Sequence, residues 1–286
     1  MPASHGHSSH ASHASHASHG QHAHTPAGQP QSAHPDPALA ARLAHETGEV
    51  LLGLRRDWAP EAGTDQLRAA GDSTAHEQLM TALSRAHPGD AVLSEEGADT
   101  PERLDADRVW IVDPLDGTRE YGEGRGDWAV HVALWVRDSS ADTGGHIAAA
   151  AVALPVLGVT LTSDPQVVVP ALEDRPPILV VSRSRPPHEA AAVVDALGGE
   201  QRAMGSAGAK VAAVLRGEAD VYLHSGGQHE WDSAAPVAVA LAAGMHASRL
   251  DGSPLVYNQP DPLLPDLLVC RQELADRVLT ALAKAH

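Results

Sequence analysis

The amino-acid sequence predicts a layered α/β or α+β protein folded over residues 35–286. Helical and strand-like periodicities alternate along the chain. The 286 residues are enough for a sizeable core, in one large domain or two ordinary ones. A single cysteine, Cys270, excludes a disulfide-stapled secreted scaffold and suits a reducing cytoplasm. Acidic residues outnumber basic ones by 37 to 20, and the resulting charge of −17 repels a polyanion over most of the surface. That argues against a protein that coats DNA or RNA.

Residues 1–34 repeat Ala-Ser-His, contain no Asp, Glu, Lys or Arg, and carry nine of the 19 histidines. With no hydrophobic periodicity they are expected to form a disordered tail. They have neither the basic start nor the apolar run of a secretory signal. Histidine-rich tracts bind Zn, Ni or Cu ions, so the tail is also a candidate binder of transition metals.

The folded part is expected to open at Asp36-Pro37, a helix cap followed by proline at the first helical position. Leu39, Leu43, Val50, Leu51 and Leu54 then share one helical face. Thr74 and Glu77 have capping-box spacing and predict a second helix carrying Leu79, Met80 and Leu83 inward, closed by the turn Pro88-Gly89-Asp90. Strands are expected at Ala91–Leu93 and Val109–Val112. A third follows where Val130, Val132, Leu134 and Val136 alternate with their neighbours. Further strands are expected at Ile147–Leu154, Gly158–Thr162 and Ile178–Val181. The expected helices are Pro187–Leu197, Ala207–Leu215, Pro236–Ala243 and Gln272–Ala283. A boundary near residues 150–155 divides an α+β half (35–152) from an α/β half (153–286). The longest apolar stretch, from Ile147, is cut by Pro155 and Gly158 before reaching the ~20 residues of a membrane helix.

Four acidic segments stand out: Asp72 ahead of the Thr74 cap, Glu95-Glu96-Gly97 after a short strand, Asp113-Pro114-Leu115-Asp116-Gly117-Thr118 after another, and Glu230-Trp231-Asp232 opening a helix. Each alone is an ordinary turn or cap. Together they describe a site for hard cations. Pro114 ends strand pairing, so Asp113, Asp116 and the Leu115 carbonyl can face one point as an oxygen shell for Mg²⁺. Gly117 and Thr118 follow in a turn whose N–H groups are free to meet a phosphate oxygen. Such clustered carboxylates disfavour one another's ionisation unless cations lie between them.

Ser94-Glu95-Glu96, the run Trp110-Ile111-Val112-Asp113-Pro114-Leu115-Asp116-Gly117-Thr118, and Trp231-Asp232-Ser233-Ala234-Ala235-Pro236 resemble the three signature motifs of the inositol monophosphatase superfamily, in the family's order. The resemblance covers roughly residues 36–284. It implies the layered αβαβα sandwich of the inositol monophosphatase and fructose-bisphosphatase type and a Mg²⁺-dependent, Li⁺-sensitive phosphomonoesterase, with two or three ions. Carried over residue by residue, it makes Glu95, Asp113, Asp116, Asp232 and the Leu115 carbonyl metal ligands. Thr118, backed by Asp72, would orient the attacking water; Glu95 would share in catalysis. The upstream part of the pattern, normally a lysine and a Pro-Val-Thr-like stretch, is absent between Arg55 and Gly71. In such a site one ion turns a bound water into hydroxide while another stabilises the leaving oxygen. An aspartyl-nucleophile phosphatase is excluded by spacing, since Asp113 and Asp116 are separated by two residues rather than one.

Details outside the metal cluster resemble the 3'(2'),5'-bisphosphate nucleotidases: Arg119-Glu120-Tyr121, Pro236, Ser182-Arg183-Ser184 and Gly205-Ser206-Ala207-Gly208-Ala209-Lys210. The resemblance implies hydrolysis of adenosine 3',5'-bisphosphate to AMP and phosphate in sulfate assimilation, with 3'-phosphoadenylyl sulfate as a further substrate. Gly117, Thr118, Ser184, Ser206, Lys210 and Glu230 are the expected substrate contacts. Ser206 would open a helix whose positive end, with Lys210 one turn on, favours a second phosphate. His224 and His229 could line the same cleft, though a place in surface loops is the more ordinary reading for each. The expected partner is a small bisphosphate, without nucleic acid or membrane; a homodimer is allowed. The alternatives are an inositol or fructose phosphate phosphatase and, in another class, a metal-storage protein built on the histidine tail.

Overall fold

The computed structural model describes residues 35–59 and 63–285; the expected tail at residues 1–34 lies outside them. Helix α1 (Pro35–Asp57) and α2 (Thr64–Ala86) come first. The strands β1 (Ala91–Ser94), β2 (Arg108–Asp116), β3 (Ala129–Arg137), β4 (Gly145–Leu154) and β5 (Val159–Thr162) form one sheet in sequence order, with only β1–β2 parallel. The short α3 (Thr118–Gly122) links β2 to β3. A second sheet is ordered β7-β6-β8-β10-β9. Its strands are β6 (Ile178–Ser182), β7 (Glu200–Met204), β8 (Val221–His229), β9 (His246–Ser248) and β10 (Leu263–Cys270). Between them run α4 (Ala190–Leu197), α5 (Ala207–Leu215) and α6 (Glu230–Ala242), and α7 (Ala275–Ala285) ends the described chain.

The packing gives five layers. α1 and α2 cover the outer face of the first sheet through Leu43, Leu51, Leu79 and Leu83, against Trp110, Val112, Val130 and Val132. α5 and α6 lie between the sheets, where Val211, Val214, Val237 and Val239 meet Ile111 and Ala133 of one sheet and Tyr222, Leu267 and Val269 of the other. α4 and α7 close the far side through Val193, Leu197, Val278 and Leu282. This is the expected αβαβα order. Helices buried on two sides need apolar residues around most of their circumference, and all nine residues of α5 are buried.

Several expectations are corrected. The second helix starts at Thr64, ten residues before Thr74, which lies inside it. Gly71, buried within this helix, packs closely: an added Cβ would lie 2.9 Å from Tyr121 Cε1 and 3.0 Å from Leu115 Cδ2. β2 continues through Pro114 to Asp116, with its register to β3 shifting between Asp113 and Asp116, so proline causes an irregularity and not an end. α6 begins at Glu230 and holds Pro236 inside it, α4 begins at Ala190, and α7 follows a 3₁₀ turn at Gln272–Leu274. Strands β7 to β10 were not anticipated. The chain passes from the first sheet to the second between Thr162 and Ile178, so residues 152 and 153 both lie within β4.

Candidate active site

Three segments bring the acidic side chains together. The end of β2 supplies Asp113 and Asp116, the first turn of α6 supplies Asp232, and one carboxylate oxygen from each lies within 4.8 Å of the others. Glu95, one residue past β1, is hydrogen-bonded to Asp113 and feels the charge of Asp232. Backbone donors orient this group. Leu115 N–H donates to Asp113 Oδ1 at 3.0 Å, and His229 N–H donates to Asp232 Oδ2 at 2.6 Å, so Asp232 also caps its helix.

The electrostatics separate these carboxylates. Burial, with the charges of Glu95 and Asp116, pushes Asp113 well above the usual carboxylate range. Burial and Asp232 push Glu95 up to about 7. Burial and Asp116 also raise Asp232. Asp116 goes the other way. Although burial opposes ionisation, its pKa falls to about 2, chiefly through His131 and also through Lys210 and Ser206. Its Oδ2 accepts from Ser206 Oγ at 2.5 Å and Gly208 N at 2.7 Å, and its Oδ1 from Ala207 N at 3.1 Å. Asp116 therefore satisfies the open N–H groups at the start of α5.

His131, in the middle of β3, escaped the sequence reading. Its fully buried ring donates through Nδ1 to the Trp231 carbonyl at 3.0 Å and holds Nε2 3.2 Å from Asp116 Oδ2. The Nε2–H is off the line to that oxygen, so attraction between charges rather than an aligned hydrogen bond joins the pair. Burial pulls the imidazole down, but the Asp116 charge outweighs it and raises the pKa. Gly208 makes room, because an added Cβ there would fall 2.1 Å from His131 Nε2.

Thr118 stands at the start of α3, and Gly117 before it has φ +95°, a turn that glycine makes without strain. The Thr118 hydroxyl lies 3.1 Å from both Asp72 Oδ1 and the Leu115 carbonyl. It has one hydrogen for these two acceptors, leaving lone pairs for another donor. Burial raises Asp72 to about 6 despite this contact.

Asp116, Glu95 and Asp232 line a cleft of about 370 Å³ whose other walls are Ser182–Arg185, Ser206, Lys210, His224, Gln228 and His229. Ser184 is among the residues that line it. Lys210 is buried, donates to the Gly205 and Ser206 carbonyls at 3.0 and 2.5 Å, and sits 5.0 Å from the Tyr222 ring centre. Burial lowers it to about 8. Instead of reaching across solvent, it is held against its own helix start. His224 is a buried residue of β8 rather than a loop histidine, and burial with Lys210 pushes it down to about 4. Among the described residues, its Nε2 and Gln228 Oε1 are buried without a hydrogen-bond partner. His229 is half-exposed and stacks on Trp231 with ring centres 4.6 Å apart.

Glu230 is not a substrate contact. Its carboxylate is buried away from the cleft and accepts from Asn258 N at 2.6 Å and Gln259 N at 2.7 Å. Residues two apart on a helix point in nearly opposite directions, so Asp232 facing the cleft turns Glu230 away from it.

Comparison with known proteins agrees with this geometry. The family model for "Inositol monophosphatase family" matches residues 36–286. The chain is 52% identical over 253 residues to a 3'-phosphoadenosine 5'-phosphate phosphatase of Mycobacterium leprae, covering 85% of this chain and 92% of that protein. It is 33% identical over 247 residues to the 3'(2'),5'-bisphosphate nucleotidase CysQ of Escherichia coli K12, covering 78% and 94%. The fold superimposes on inositol monophosphatase II of Staphylococcus aureus with a TM-score of 0.72 at 20% identity, over 87% and 96% of the two chains. The three acidic motifs, the layer order and the match over residues 36–286 converge: the chain belongs to the inositol monophosphatase family.

Proposed function

We propose that this chain is a Mg²⁺-dependent phosphatase that hydrolyses adenosine 3',5'-bisphosphate to AMP and phosphate, with 3'-phosphoadenylyl sulfate as a further substrate. One observation carries the reading: the same cleft is lined by the carboxylates Glu95, Asp116 and Asp232 and by the cations Arg183, Arg185 and Lys210. A bisphosphate needs both kinds of group, cations held by the carboxylates for the scissile phosphate and positive side chains for the phosphate that stays. The names of the relatives at 52% and 33% identity support the same substrate class.

The donor set fits hard divalent cations: all-oxygen, buried, and costly to ionise without them. Asp113, Asp116, Asp232, Glu95 and the Leu115 carbonyl would hold two or three Mg²⁺ ions. Bound there, Mg²⁺ lowers the pKa of the attacking water and balances charge on the phosphate. The Thr118 lone pairs would orient that water on the side away from the leaving oxygen. Asp72, near 6, accepts a proton relayed through the Thr118 hydroxyl at neutral pH. Ser184, Ser206 and Lys210 would hold the second phosphate, with Gly117 beside the first.

A place in sulfate assimilation, a cytoplasmic location and a homodimer belong to the same reading. Among the described residues no helix is long and apolar enough to cross a membrane. The histidine-rich tail is proposed to bind transition metals without taking part in turnover. Phosphate release from adenosine 3',5'-bisphosphate and from inositol 1-phosphate, compared at equal Mg²⁺, tests the assignment. The bisphosphate should be preferred; a clear preference for the inositol ester overturns it.

A further inference from the structure

Glu230 leads to a second polar cluster, outside the cleft. Arg103 is 1% exposed, an unusual placement for a guanidinium. It forms a two-point contact with Asp99 at 2.6 and 3.0 Å. From there Nη1 donates to Asn258 Oδ1 at 2.8 Å and Nη2 to the Gln259 carbonyl at 2.8 Å. The backbone of Asn258 and Gln259 in turn donates to both Glu230 oxygens. Asn258 adopts φ +59°, in the left-handed region, so the chain accepts local strain to present three groups at once. Tyr257 adds a bond from its hydroxyl to Ser233 Oγ of α6 at 3.3 Å.

This chain of contacts has two ends. Asp99 is four residues after Glu95, and Glu230 is two residues before Asp232. None of Arg103, Asn258 and Glu230 lines the cleft. A buried ion pair is weak support for stability, because desolvation offsets most of its attraction; fixing one geometry is its better-attested use.

We propose that Arg103, Asn258 and Glu230 form a positioning brace for the cation site, clamping the turn that carries Glu95 to the first turn of α6 that carries Asp232. The inference rests on the metal-site reading above. It differs from a merely structural role in one respect: cutting the brace should weaken cation binding in protein that remains folded. Loss of an outer partner of a metal ligand typically costs about 10- to 100-fold in metal affinity.

N258G is the sharpest variant. Glycine keeps the positive φ and the two N–H groups that Glu230 accepts, and removes only the side chain that Arg103 grips. Metal-free wild type, N258G, R103M and R103K are titrated with Mn²⁺ by calorimetry, with circular dichroism to confirm folding. N258G and R103M should bind Mn²⁺ up to about 10-fold more weakly, the lower end of what loss of a direct partner costs, because neither side chain touches a ligand. R103K, which returns one donor, should fall between them and wild type. At saturating Mg²⁺, the KM for adenosine 3',5'-bisphosphate should be unchanged. Wild-type Mn²⁺ affinity in folded N258G overturns the brace while leaving the metal site standing. Failure of wild type itself to bind Mn²⁺ overturns the metal reading and the brace with it.

Discussion

The molecule buries two acidic centres, and they are built in opposite ways. Asp220, before β8, is fully buried between two guanidiniums: Arg175 Nη1 at 2.6 Å and Arg271 Nε at 2.9 Å, with Ile178 N–H at 2.8 Å. In the cleft, Asp113, Asp232 and Glu95 crowd together with backbone donors and no guanidinium partner among the contacts described, and their pKa values rise. The first centre is neutralised by the chain itself and is structural. The second is left short of positive charge, and that shortage marks it as a place for ions.

The comparison can be broken first at the ligands. Asp113→Asn and Asp232→Asn should each reduce Mg²⁺-dependent turnover by at least about 100-fold, since a direct ligand matters no less than an outer partner. Removing one of several repelling carboxylates should leave the metal-free fold intact; a lost melting transition in the variant would contradict this. Asp220→Asn should do the reverse. Leaving Arg175 and Arg271 with a neutral partner should cost about 3–5 kcal/mol of stability, read by urea unfolding, with kcat unchanged while the protein is folded.

The pH dependence sharpens the contrast. Glu95 is raised to about 7 from 4.5 and Asp72 to about 6 from 3.8, so both hold protons more tightly when folded. Their contribution to stability is complete below the unfolded values and is lost as pH rises through about 6 and 7. Asp116, lowered to about 2, acts in the opposite sense: its contribution is complete above 3.8 and is lost as pH falls through about 2. In chelator, the melting temperature should therefore fall between pH 4.5 and 7, and Mg²⁺ should reduce that fall by the part that Glu95 contributes. A smaller effect is expected at the buried lysine of the cleft: Lys210→Met should raise KM for a bisphosphate about tenfold, the worth of one charge-assisted hydrogen bond, and leave a monophosphate nearly unaffected. The smallest effect is expected from deleting residues 1–34, which should leave turnover unchanged; a large loss would favour a role for the tail in the site.

Part of the acidic cluster was legible because its geometry is local. Asp113, Leu115, Asp116 and Thr118 lie within six residues, and a proline and a glycine set their directions. The rest of the site depends on contacts distant in sequence. His131 alternates in β3 like any strand residue, and only the fold brings it to Asp116 and Trp231. Glu230 was misread because closeness in sequence was taken for closeness in space. The start of α2 was misplaced because the capping-box spacing of Thr74 and Glu77 also occurs inside a helix, where both residues lie. β7 was missed because three of its five residues, Glu200, Gln201 and Arg202, are polar and carry no apolar alternation.

Gly208 has no side chain to offer a substrate or an ion, yet it lies where β3, α5 and Asp116 converge. Its hydrogen atom is the clearance between His131 and the start of α5. A single added methyl would drive the imidazole, the carboxylate it faces and the α6 carbonyl it bonds apart together. The mutational tolerance of this enzyme should thus be low at a position that has no side-chain chemistry, where the constraint is volume.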